Sequence, residues 1–382
     1  MGGILVLNSG SSSIKFALFD ESLDETLSGS ATEIGGVSRL KVSSKTLKSE
    51  ETTAVLPDHN AALSAILDVI RSAGVDIAEL TGAGHRVVHG GPVLQSAIHV
   101  DGQVIAEIER CNDLAPLHNP HNLAAILALK DLAPDLVQVA CFDTAFHASN
   151  PDVARRYALP DRPELETLRR YGFHGISYQG LVRTLAEDAQ TDAPNRLLAL
   201  HLGNGASLCA IKSGQSVATT MGYSPLEGLT MGTRTGSIDG NLVLRLAEEN
   251  GIEDTKELLN KKSGLLGLGG LSDMRALHAA ETDASRFAVE HFCYWAVRHA
   301  GSMIAAMGGL DGIAFTGGIG ENDAVVRQKI ISGLGFLGAT CDPQSNQSNR
   351  FRIDVSGSAV PIWIVKAEEE KTIAAETKKL IA

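Results

Sequence analysis

The sequence predicts an α/β protein built from two related halves. Apolar runs rich in β-formers alternate with segments whose apolar residues recur at helical intervals, which is typical of α/β domains. A strand, a Gly/Ser turn and a second strand are predicted within residues 4–19, and the same pattern recurs within residues 196–214. This recurrence indicates an internal duplication. A chain of 382 residues is long enough for about two domains, each with its own core.

The composition narrows the class of protein. Hydrophobic residues make up 44% and charged residues 20%, as in an ordinary globular protein. Lys and Arg number 33 against 45 Asp and Glu, and the net charge of -12 argues against nucleic acid as a partner. No apolar run approaches the ~20 residues of a membrane span. The five cysteines are scattered without a CxxC pair, which favours a reducing compartment, and we expect a cytoplasmic protein.

The first half is predicted to open with strands and to continue with alternating helices and strands. A helix over residues 61–73 is followed by Gly74, a residue that commonly ends helices. The strands are expected at residues 4–7 and 14–19, at further positions before residue 60, before GHRVVHGG (84–91), and at 137–143.

The second half is predicted to repeat this organisation. The boundary is placed near residue 148, because no linker rich in Pro or Ser marks it. After the repeated hairpin we expect a long helix at 285–308, a strand in GIAFTGG (312–318), a helix at 323–334, a strand in VPIWIVK (360–366) and a short terminal helix.

The repeated turns favour phosphate binding. A turn rich in Gly and Ser can direct several backbone N–H groups and hydroxyls at one point, which suits phosphate oxygens. A plain hairpin is the simpler interpretation of one such turn, but two copies favour a binding role. The turns also carry polar side chains that a hairpin does not need, namely Asn8, Ser11, Ser13 and Lys15 in the first, and His201 and Asn204 in the second.

A third Gly-rich turn, FTGGIGEN (315–322), follows a predicted strand and opens a predicted helix. The start of a helix can offer backbone donors to a phosphate or a sugar. The chain has no GxxxxGK[ST] segment, and GLGGLS (267–272) lacks a preceding strand. A P-loop ATPase and a Rossmann dehydrogenase therefore both fit poorly.

Charged residues next to these turns are candidates for the site. Arg86 and Arg234 stand in Gly-rich, mostly uncharged surroundings, where a bound anion and a structural ion pair remain alternatives. Asp143 ends an apolar strand, where ligands gather in open α/β sheets. Glu369 lies in an acidic trio that also suits a solvated helix start. The histidines His118, His121, His174 and His201 are not accompanied by Cys or paired acidic residues, as a transition-metal site would require. Phosphate chemistry usually takes Mg²⁺ instead.

The chain resembles the acetate kinase family in eight motifs that follow the family's order from residue 8 to about 374. The motifs are NSGSSSIK (8–15), GHRVVHGG (84–91), LAPLHNPHN (114–122), FDTAFH (142–147), RRYGFHGIS (169–177), HLGNGAS (201–207), MGYSPLEGLTMGTRTG (221–236) and FTGGIGEN (315–322).

This resemblance implies two duplicated actin-like ATPase domains, related to ribonuclease H, around a nucleotide cleft. It implies that residues 1–147 and 369–382 form the first domain and residues 148–368 the second. It further implies a homodimer and a reversible reaction in which the γ-phosphoryl group of ATP passes to acetate, giving acetyl phosphate and ADP. Mg²⁺ is the implied cofactor, with Mn²⁺ as an alternative.

The resemblance also implies roles for individual residues. Arg86 and Arg234 would bind the carboxylate of acetate and then the transferred phosphoryl group. Asp143 would orient the acyl oxygen, with a role as a base left open. The other implied roles are a hydrogen bond from His174 to the phosphoryl group in transfer, polar contacts from His118 and His201, and Mg²⁺ placement by Asn8 and Glu369.

The nucleotide and the acid have implied contacts of their own. Ser11, Ser13 and Lys15 would line the first hairpin, while Asn204 and Gly205 would hold the β and γ phosphates. The implied ribose and adenine contacts are Asp273, Arg275, Gly318, Ile319 and Asn322. The methyl group of the acid would meet Val88, Leu117, Phe173 and Pro225, which are otherwise ordinary core residues. One methylene in an apolar pocket changes the binding free energy by only ~1–3 kcal/mol. We therefore expect both acetate and propionate as candidate substrates.

The chain departs from the family's pattern at four positions outside the arginine pair and Asp143. Ser237 and Gly240 stand where the family commonly has Asp and Pro, Tyr178 where it has His, and Glu368 where it has Asn or Asp. Two other functions remain. One is a propionate or butyrate kinase of the same family. The other, more distant, is an ATP-driven switch or filament protein, which would leave both arginines without a function.

Overall fold

The computed structural model of the protein describes residues 3–44, 50–188 and 193–382. These residues divide into two compact units. Unit 1 consists of Met1–Phe146 together with Glu368–Ala382, and unit 2 consists of His147–Ala367. Each unit contains one β-sheet with helices packed against it.

The strands and helices are numbered in chain order. The strands are β1 (Ile4–Ser9), β2 (Ser13–Phe19), β3 (Glu25–Thr32), β4 (Arg39–Ser44), β5 (Glu50–Thr53), β6 (Gly82–Val87), β7 (Ile98–His99), β8 (Gln138–Phe142), β9 (Arg196–Leu202), β10 (Ala206–Lys212), β11 (Gln215–Thr219), β12 (Gly312–Thr316) and β13 (Ile362–Ile364). The helices are α1 (His59–Ser72), α2 (Gly102–Arg110), α3 (Asn119–Leu132), α4 (Asp152–Arg155), α5 (Gly175–Glu187), α6 (Gly240–Asn250), α7 (Ile252–Lys261), α8 (Gly264–Gly269), α9 (Met274–Ala280), α10 (Asp283–Met307), α11 (Gly317–Asn322), α12 (Ala324–Gly333), α13 (Pro343–Gln347) and α14 (Glu369–Ile381).

The two sheets share one arrangement. In unit 1 the strand order is β5-β4-β3-β2-β1-β6-β8-β7, and in unit 2 it is β11-β10-β9-β12-β13. In each sheet an antiparallel hairpin, β1–β2 or β9–β10, is extended by parallel strands that pair with the first strand of the hairpin. The predicted duplication is therefore confirmed. Unit 1 differs by extra antiparallel strands at both edges of its sheet.

The central strands are apolar because both faces of each sheet are covered. All five residues of β8 and of β12 are buried, which is typical of parallel strands with helices on both sides. In unit 1 the core forms where α1 and α3 pack against each other and the sheet. Its members include Leu5, Leu7, Ile14, Ile66 and Leu129.

Local signals place the helix ends close to their predicted positions. Asp58 caps the start of α1 by accepting a hydrogen bond of 2.8 Å from Ala61 N, and Gly74 follows its end with φ +85°. Thr282 forms a capping box with Ser285 at the start of α10. Gly308 ends that helix in the left-handed conformation. The strand predicted at 137–143 is one residue shorter at each end, so Asp143 lies just beyond it.

The C-terminal helix α14 belongs to unit 1 and packs on β6. This packing needs a glycine, because a Cβ atom at Gly84 would overlap Thr377 Oγ1 and the Ile373 side chain. Glu369 is the first residue of α14, so this contact also fixes where the acidic trio lies. Among the described residues, no helix is long and apolar enough to cross a membrane.

We expect Gly84→Ala to destabilise unit 1, because the new methyl group must displace α14 from β6. Overpacking of this kind costs about 1–3 kcal/mol. Urea unfolding followed by circular dichroism measures the change. Gly102→Ala is the matched control, since a Cβ atom there meets no atom within 4 Å. Equal unfolding midpoints for the two variants would contradict the packing argument.

Candidate active site

In unit 1 the carboxyl ends of three adjacent strands bring polar side chains together. Asn8 lies near the end of β1, Arg86 near the end of β6 and Asp143 just after β8, and these strands are neighbours and parallel. Arg86 Nη2 donates to Asp143 Oδ2 at 2.6 Å, and Nε donates to Oδ1 at 3.2 Å. Arg86 Nη1 donates to Asn8 Oδ1 at 3.3 Å. The contact between guanidinium and carboxylate is bidentate, which fixes the plane of the guanidinium.

The charges around Arg86 keep it cationic. Burial alone lowers the pKa of Arg86, but the carboxylates of Asp143, Glu369 and Glu370 outweigh burial and raise the pKa above its ordinary value. Burial raises the pKa of Glu370, as does the neighbouring Glu369, while Lys15 and Arg86 act in the opposite direction. The first turn of α14 therefore presents two carboxylates to the same cluster.

The turn of the first hairpin is tied to helix α1. Gly10 N donates to Ser13 O at 2.7 Å, which closes the turn, and His59 Nε2 lies 2.8 Å from Gly10 O. Ser11 and Lys15 are exposed at this turn and Ser13 is half-buried. Lys15 faces Asn8 across the hairpin. The predicted phosphate-binding side chains therefore lie beside the cluster of Asn8, Arg86 and Asp143.

Two buried asparagines that the sequence analysis did not select hold this part of unit 1 together. Asn122 accepts a hydrogen bond from Val88 N at 3.0 Å and donates to Ser9 O at 2.6 Å. Asn119 accepts from His89 N at 3.0 Å and donates to His89 O at 2.9 Å. They lie three residues apart, so both point from the same face of α3. That spacing in LHNPHN was the available signal.

In unit 2 the second hairpin lies against His174. The ring of His174 stacks on that of His201, with centroids 4.1 Å apart and an interplanar angle of 20°. His174 Nδ1 lies 2.9 Å from Ser207 Oγ on β10, and His201 Nδ1 lies 2.9 Å from Ser177 Oγ on α5. His174 itself immediately precedes α5 and has φ +59°. The ring is thus held by groups from β9 and β10.

Arg234 lies beside His174, because the backbone of the second hairpin turn passes close to both side chains. A Cβ atom at Gly205 would lie 3.3 Å from His174 Nε2 and 3.6 Å from Arg234 Nη1. Gly232 N donates to Asn204 O at 3.0 Å, which joins the MGTR segment to the hairpin turn. His174, Asn204, Gly205 and Arg234 therefore converge, as a phosphoryl-binding site requires.

Arg234 lacks an anionic partner among the described residues of its unit. Its Nη1 contacts Pro225 O at 3.1 Å and Met231 Sδ at 3.8 Å. Burial lowers the pKa of Arg234, and no carboxylate counteracts this. A half-buried guanidinium bound only to neutral groups is costly. This arrangement suits an anionic ligand.

The predicted ribose and adenine contacts lie on two neighbouring segments of unit 2. Gly318, Ile319 and Asn322 belong to α11, which follows β12 directly. Asp273 caps α9, and Arg275 in its first turn has a side chain 90% exposed. His278 on α9 contacts Asp323 at the start of α12, with 2.9 Å between Nε2 and Oδ2. This contact holds α9 beside the end of α11.

The predicted apolar contacts of the acid are divided between the units. In unit 1, Val88 is buried and Leu117 is exposed. His118 directly precedes α3. In unit 2, Phe173 is buried next to His174, and the carbonyl group of Pro225 contacts Arg234. Each unit thus places its two apolar residues next to its predicted polar ones.

The structure shows what surrounds each of the four residues that depart from the family's pattern. Tyr178 is fully buried on α5, and its hydroxyl lies 2.8 Å from Ser207 O and 2.6 Å from Ser207 Oγ. It therefore supports the serine that contacts His174. Ser237 Oγ accepts from Gly228 N at 3.2 Å. Gly240 has open space around its Cα, and Glu368 directly precedes α14.

The donor set in unit 1 suits a hard cation. Within the described part of the chain there is no group of three or more His, Cys, Asp or Glu that could hold a metal ion. Mg²⁺ in phosphoryl-transfer enzymes is typically held by one or two carboxylates together with water and substrate phosphates. The carboxylates of Glu369 and Glu370 and the amide oxygen of Asn8 fit that requirement.

The two related sheets and the arginines suited to an anion are typical of a phosphotransferase of the actin-like ATPase fold. The model of the acetokinase family matches residues 3–375, and the chain belongs to this family of carboxyl-accepting kinases. It is 42% identical to an acetate kinase of Methylocella silvestris, over 99% of this chain and 98% of that protein. It is also 42% identical to an acetate kinase of Campylobacter jejuni, over 99% of each chain.

Solved structures of the family superpose on the whole chain. An acetate kinase of Porphyromonas gingivalis is 35% identical, with a TM-score of 0.92 over 100% of both chains. A propionate kinase of Francisella tularensis is 34% identical, with a TM-score of 0.93 over 99% of this chain and 100% of that one. The fold is therefore common to kinases of both acids.

Proposed function

We propose that this chain transfers the γ-phosphoryl group of ATP reversibly to acetate, giving acetyl phosphate and ADP. The observation that carries the proposal is the convergence of Arg234, His174 and the turn of Asn204 and Gly205 on one anion-binding position. The relatives that are 41–42% identical over nearly the full length bear the name acetate kinase, which favours acetate as the acid.

The chemistry needs positioning more than proton transfer. A carboxylate oxygen of acetate forms a bond to the γ-phosphorus, and the bond from that phosphorus to the β,γ-bridging oxygen breaks. The electron pair of the broken bond leaves on ADP. Acetic acid is already ionised at neutral pH, like the side-chain carboxyl groups, so the nucleophile needs no base. Stabilising charge on the transferred group is the main requirement.

The residues of unit 2 meet this requirement. Arg234 lends its charge to the transferred phosphoryl oxygens, and His174 donates a hydrogen bond to them. His201 stacks on His174 and holds its plane, while Asn204 and Gly205 bring backbone N–H groups to the β and γ phosphates. Such preorganised donors usually supply the largest part of a rate enhancement.

In unit 1, Arg86 binds the carboxylate of the acid, with Ser11, Ser13 and Lys15 nearby for phosphate and His118 as a further polar contact. Both oxygens of Asp143, whose side chain is only 2% exposed, accept hydrogen bonds from Arg86. The role that this geometry supports for Asp143 is to orient Arg86, rather than to act as a base.

The remaining contacts concern the nucleoside and the acyl group. Asp273, which caps α9, and Arg275 on α9 bind the ribose and adenine, and Gly318, Ile319 and Asn322 on α11 complete that pocket. The proposed apolar contacts of the methyl group are Val88 and Leu117 in unit 1 and Phe173 and Pro225 in unit 2. The similarity to a propionate kinase makes propionate the second candidate acid. We expect only modest discrimination between the two, because one methylene is worth about 1–3 kcal/mol.

The acid preference and the role of Arg234 can be tested together by measuring kcat/KM with acetate, propionate and butyrate at saturating Mg-ATP. We expect acetate to be preferred, and Arg234→Ala to lower kcat/KM by about 10²–10³-fold, the usual effect of losing a donor to the transition state.

Arg234→Lys should recover little, since Lys lacks the planar fork. Arg245→Ala is the control, because Arg245 is exposed and pairs with Glu249 one helical turn away. ATP turnover that ignores all three acids and survives Arg234→Ala would overturn the acyl kinase proposal in favour of the ATP-driven switch.

We propose that Mg²⁺, replaceable by Mn²⁺, is held by Asn8 and Glu369, partly through water. When bound, the cation neutralises charge on the phosphates of ATP. The carboxylates at the start of α14 lie near Arg86, and Asn8 contacts Arg86 directly, so the oxygen donors belong to one cluster.

A titration of activity against Mg²⁺ tests which glutamate takes part. EDTA should abolish turnover, and Mg²⁺ or Mn²⁺ should restore it. Glu369→Gln should raise the Mg²⁺ concentration for half-maximal activity by about 10-fold or more, on the scale seen when groups that support a metal are lost. Glu368→Gln is the matched control. A shift in Glu370→Gln alone would move the role to Glu370.

We further propose that the chain forms a homodimer through an aromatic stripe on α10. Phe287, His291, Trp295 and His299 follow one another at four-residue spacing, with ring centroids 5.8–6.0 Å apart. Tyr294 beside the stripe is 65% exposed. Helix α6 nearby has no buried residue although it carries Leu242 and Leu244. Exposed aromatic and apolar side chains that lie close together are typical of protein interfaces.

Light scattering after size-exclusion chromatography tests the dimer. Tyr294→Glu should shift the species towards the monomer, because it places a charge beside the aromatic stripe of the proposed interface. Val153→Glu is the control, since Val153 on α4 is 90% exposed away from this stripe. A monomeric wild-type protein, or a Tyr294→Glu dimer of unchanged affinity, would contradict the proposal.

The proposed location is the cytoplasm. All five cysteines are free thiols and buried, which is usual where glutathione or thioredoxin keeps thiols reduced.

A further inference from the structure

His147 is a buried histidine of unit 2 that has no role in the reaction described above. It is the last residue of FDTAFH, only four residues after Asp143. Its Nε2 lies 2.9 Å from the carbonyl oxygen of Phe173, and its Nδ1 lies 2.8 Å from Ser216 Oγ. The carbonyl group belongs to the residue directly before His174.

The protonation of this ring follows from its partners. A carbonyl oxygen only accepts, so Nε2 carries the proton and donates to Phe173 O. Burial lowers the pKa of His147 to about 4, although the hydrogen bond to Phe173 acts in the opposite direction. The ring is therefore neutral near pH 7. It serves as a fixed donor rather than as a proton carrier.

The backbone that His147 contacts has an unfavourable conformation. Gly172 has φ +77° and His174 has φ +59°. A left-handed conformation is unfavourable for a residue with a Cβ atom. Such residues persist where the surrounding structure holds them, and they cluster at functional sites. Something must therefore hold the segment around Phe173.

His147 fits that requirement by packing as well as by hydrogen bonding. A Cβ atom at Gly172 would lie 2.6 Å from the His147 ring and 2.6 Å from the Thr219 side chain. The ring thus lies directly against the backbone at residue 172 and donates to the carbonyl group at 173. Ser216 Oγ donates to Asn150 Oδ1 at 2.7 Å and lies beside Nδ1, so buried polar groups line the other side of the ring.

We propose that His147 is a positioning residue, which holds the left-handed backbone of His174 so that its imidazole meets the transferred phosphoryl group. His201 and Ser207 hold the ring of His174 from one side, and His147 holds its main chain from the other. This inference rests on the proposed role of His174. It assigns no contact between His147 and the substrate.

Two substitutions distinguish the contribution of Nε2 from that of Nδ1 in His147. In His147→Gln the amide nitrogen lies as far along the side chain as Nε2, so a donor to Phe173 O remains. In His147→Asn the amide is shorter and matches only Nδ1, so that donor is lost. A misplacement of about 1 Å costs up to ~10²-fold in rate. We therefore expect His147→Asn to lower kcat about 10–100-fold, with KM for acetate and ATP changed less than about 3-fold, and His147→Gln to recover most of the loss.

A double-mutant cycle distinguishes positioning from a general structural role. If His147 acts through His174, His147→Asn should cause no further loss of kcat in the His174→Ala background. A loss that multiplies in that background would overturn the inference, as would wild-type kcat in His147→Asn. His99→Asn is the matched control, because exposed His99 also contacts a carbonyl group, Leu380 O at 3.1 Å.

A milder variant covers the case in which His147→Asn does not fold. Ser216→Ala removes only the hydroxyl beside Nδ1. It should lower kcat several-fold in the wild-type background and cause no further loss in the His174→Ala background. An additive effect of Ser216→Ala would overturn the inference.

The two proposals can also fail separately. Wild-type activity of His174→Ala would overturn the role proposed for His174. Loss of activity in His174→Ala with a normal His147→Asn enzyme would overturn only the positioning role.

Discussion

The proposed chemistry depends on two arginines, Arg86 and Arg234, whose guanidinium groups stay cationic although they are partly buried. Arg86 has an internal counterion, because Asp143 grips it by two hydrogen bonds and the start of α14 adds further negative charge. Arg234 has neutral contacts instead, and burial lowers its pKa. The first arginine is thus preorganised, while the second gains most from an anionic ligand. In the proposed reaction, unit 1 thus supplies a fixed positive charge and unit 2 an unsatisfied one.

Bringing backbone groups to phosphate requires positions without side chains. Gly205 lies close to His174 and Arg234, and a Cβ atom there would lie 3.3 Å from His174 Nε2, a tight contact. The backbone next to this position is also unusual, because Gly172 and His174 both have left-handed conformations. Buried groups hold nearby backbone by hydrogen bonds, namely Asn119 and Asn122 in unit 1 and His147 and Tyr178 in unit 2. In unit 2, for example, a loss of geometry at His147 reaches His174 through the backbone of Phe173.

Much of the fold could be predicted because its signals are local. The repeated hairpins, the ends of α1 and α10, and the position of Asp143 after β8 follow from apolar periodicity, caps and glycines. The resemblance to the acetate kinase family supplied roles that periodicity could not. The positioning groups were missed because Asn122 or His147 resembles any polar residue until its partner is known. Those partners are backbone atoms 34 to 113 residues away for Asn122, and 26 residues away for His147.

The sequence by itself determined the class of fold, the duplication and the family, because strand and helix periodicity and motif order are properties of short stretches of chain. The tertiary structure alone decided that Asp143 engages Arg86, that Arg234 keeps neutral partners, that Tyr178 supports Ser207, and that Glu370 as well as Glu369 lies near Arg86. These relations depend on which strand ends become neighbours and which side chains are buried. Both follow from long-range packing, which fixes distances and desolvation that no short stretch of sequence contains.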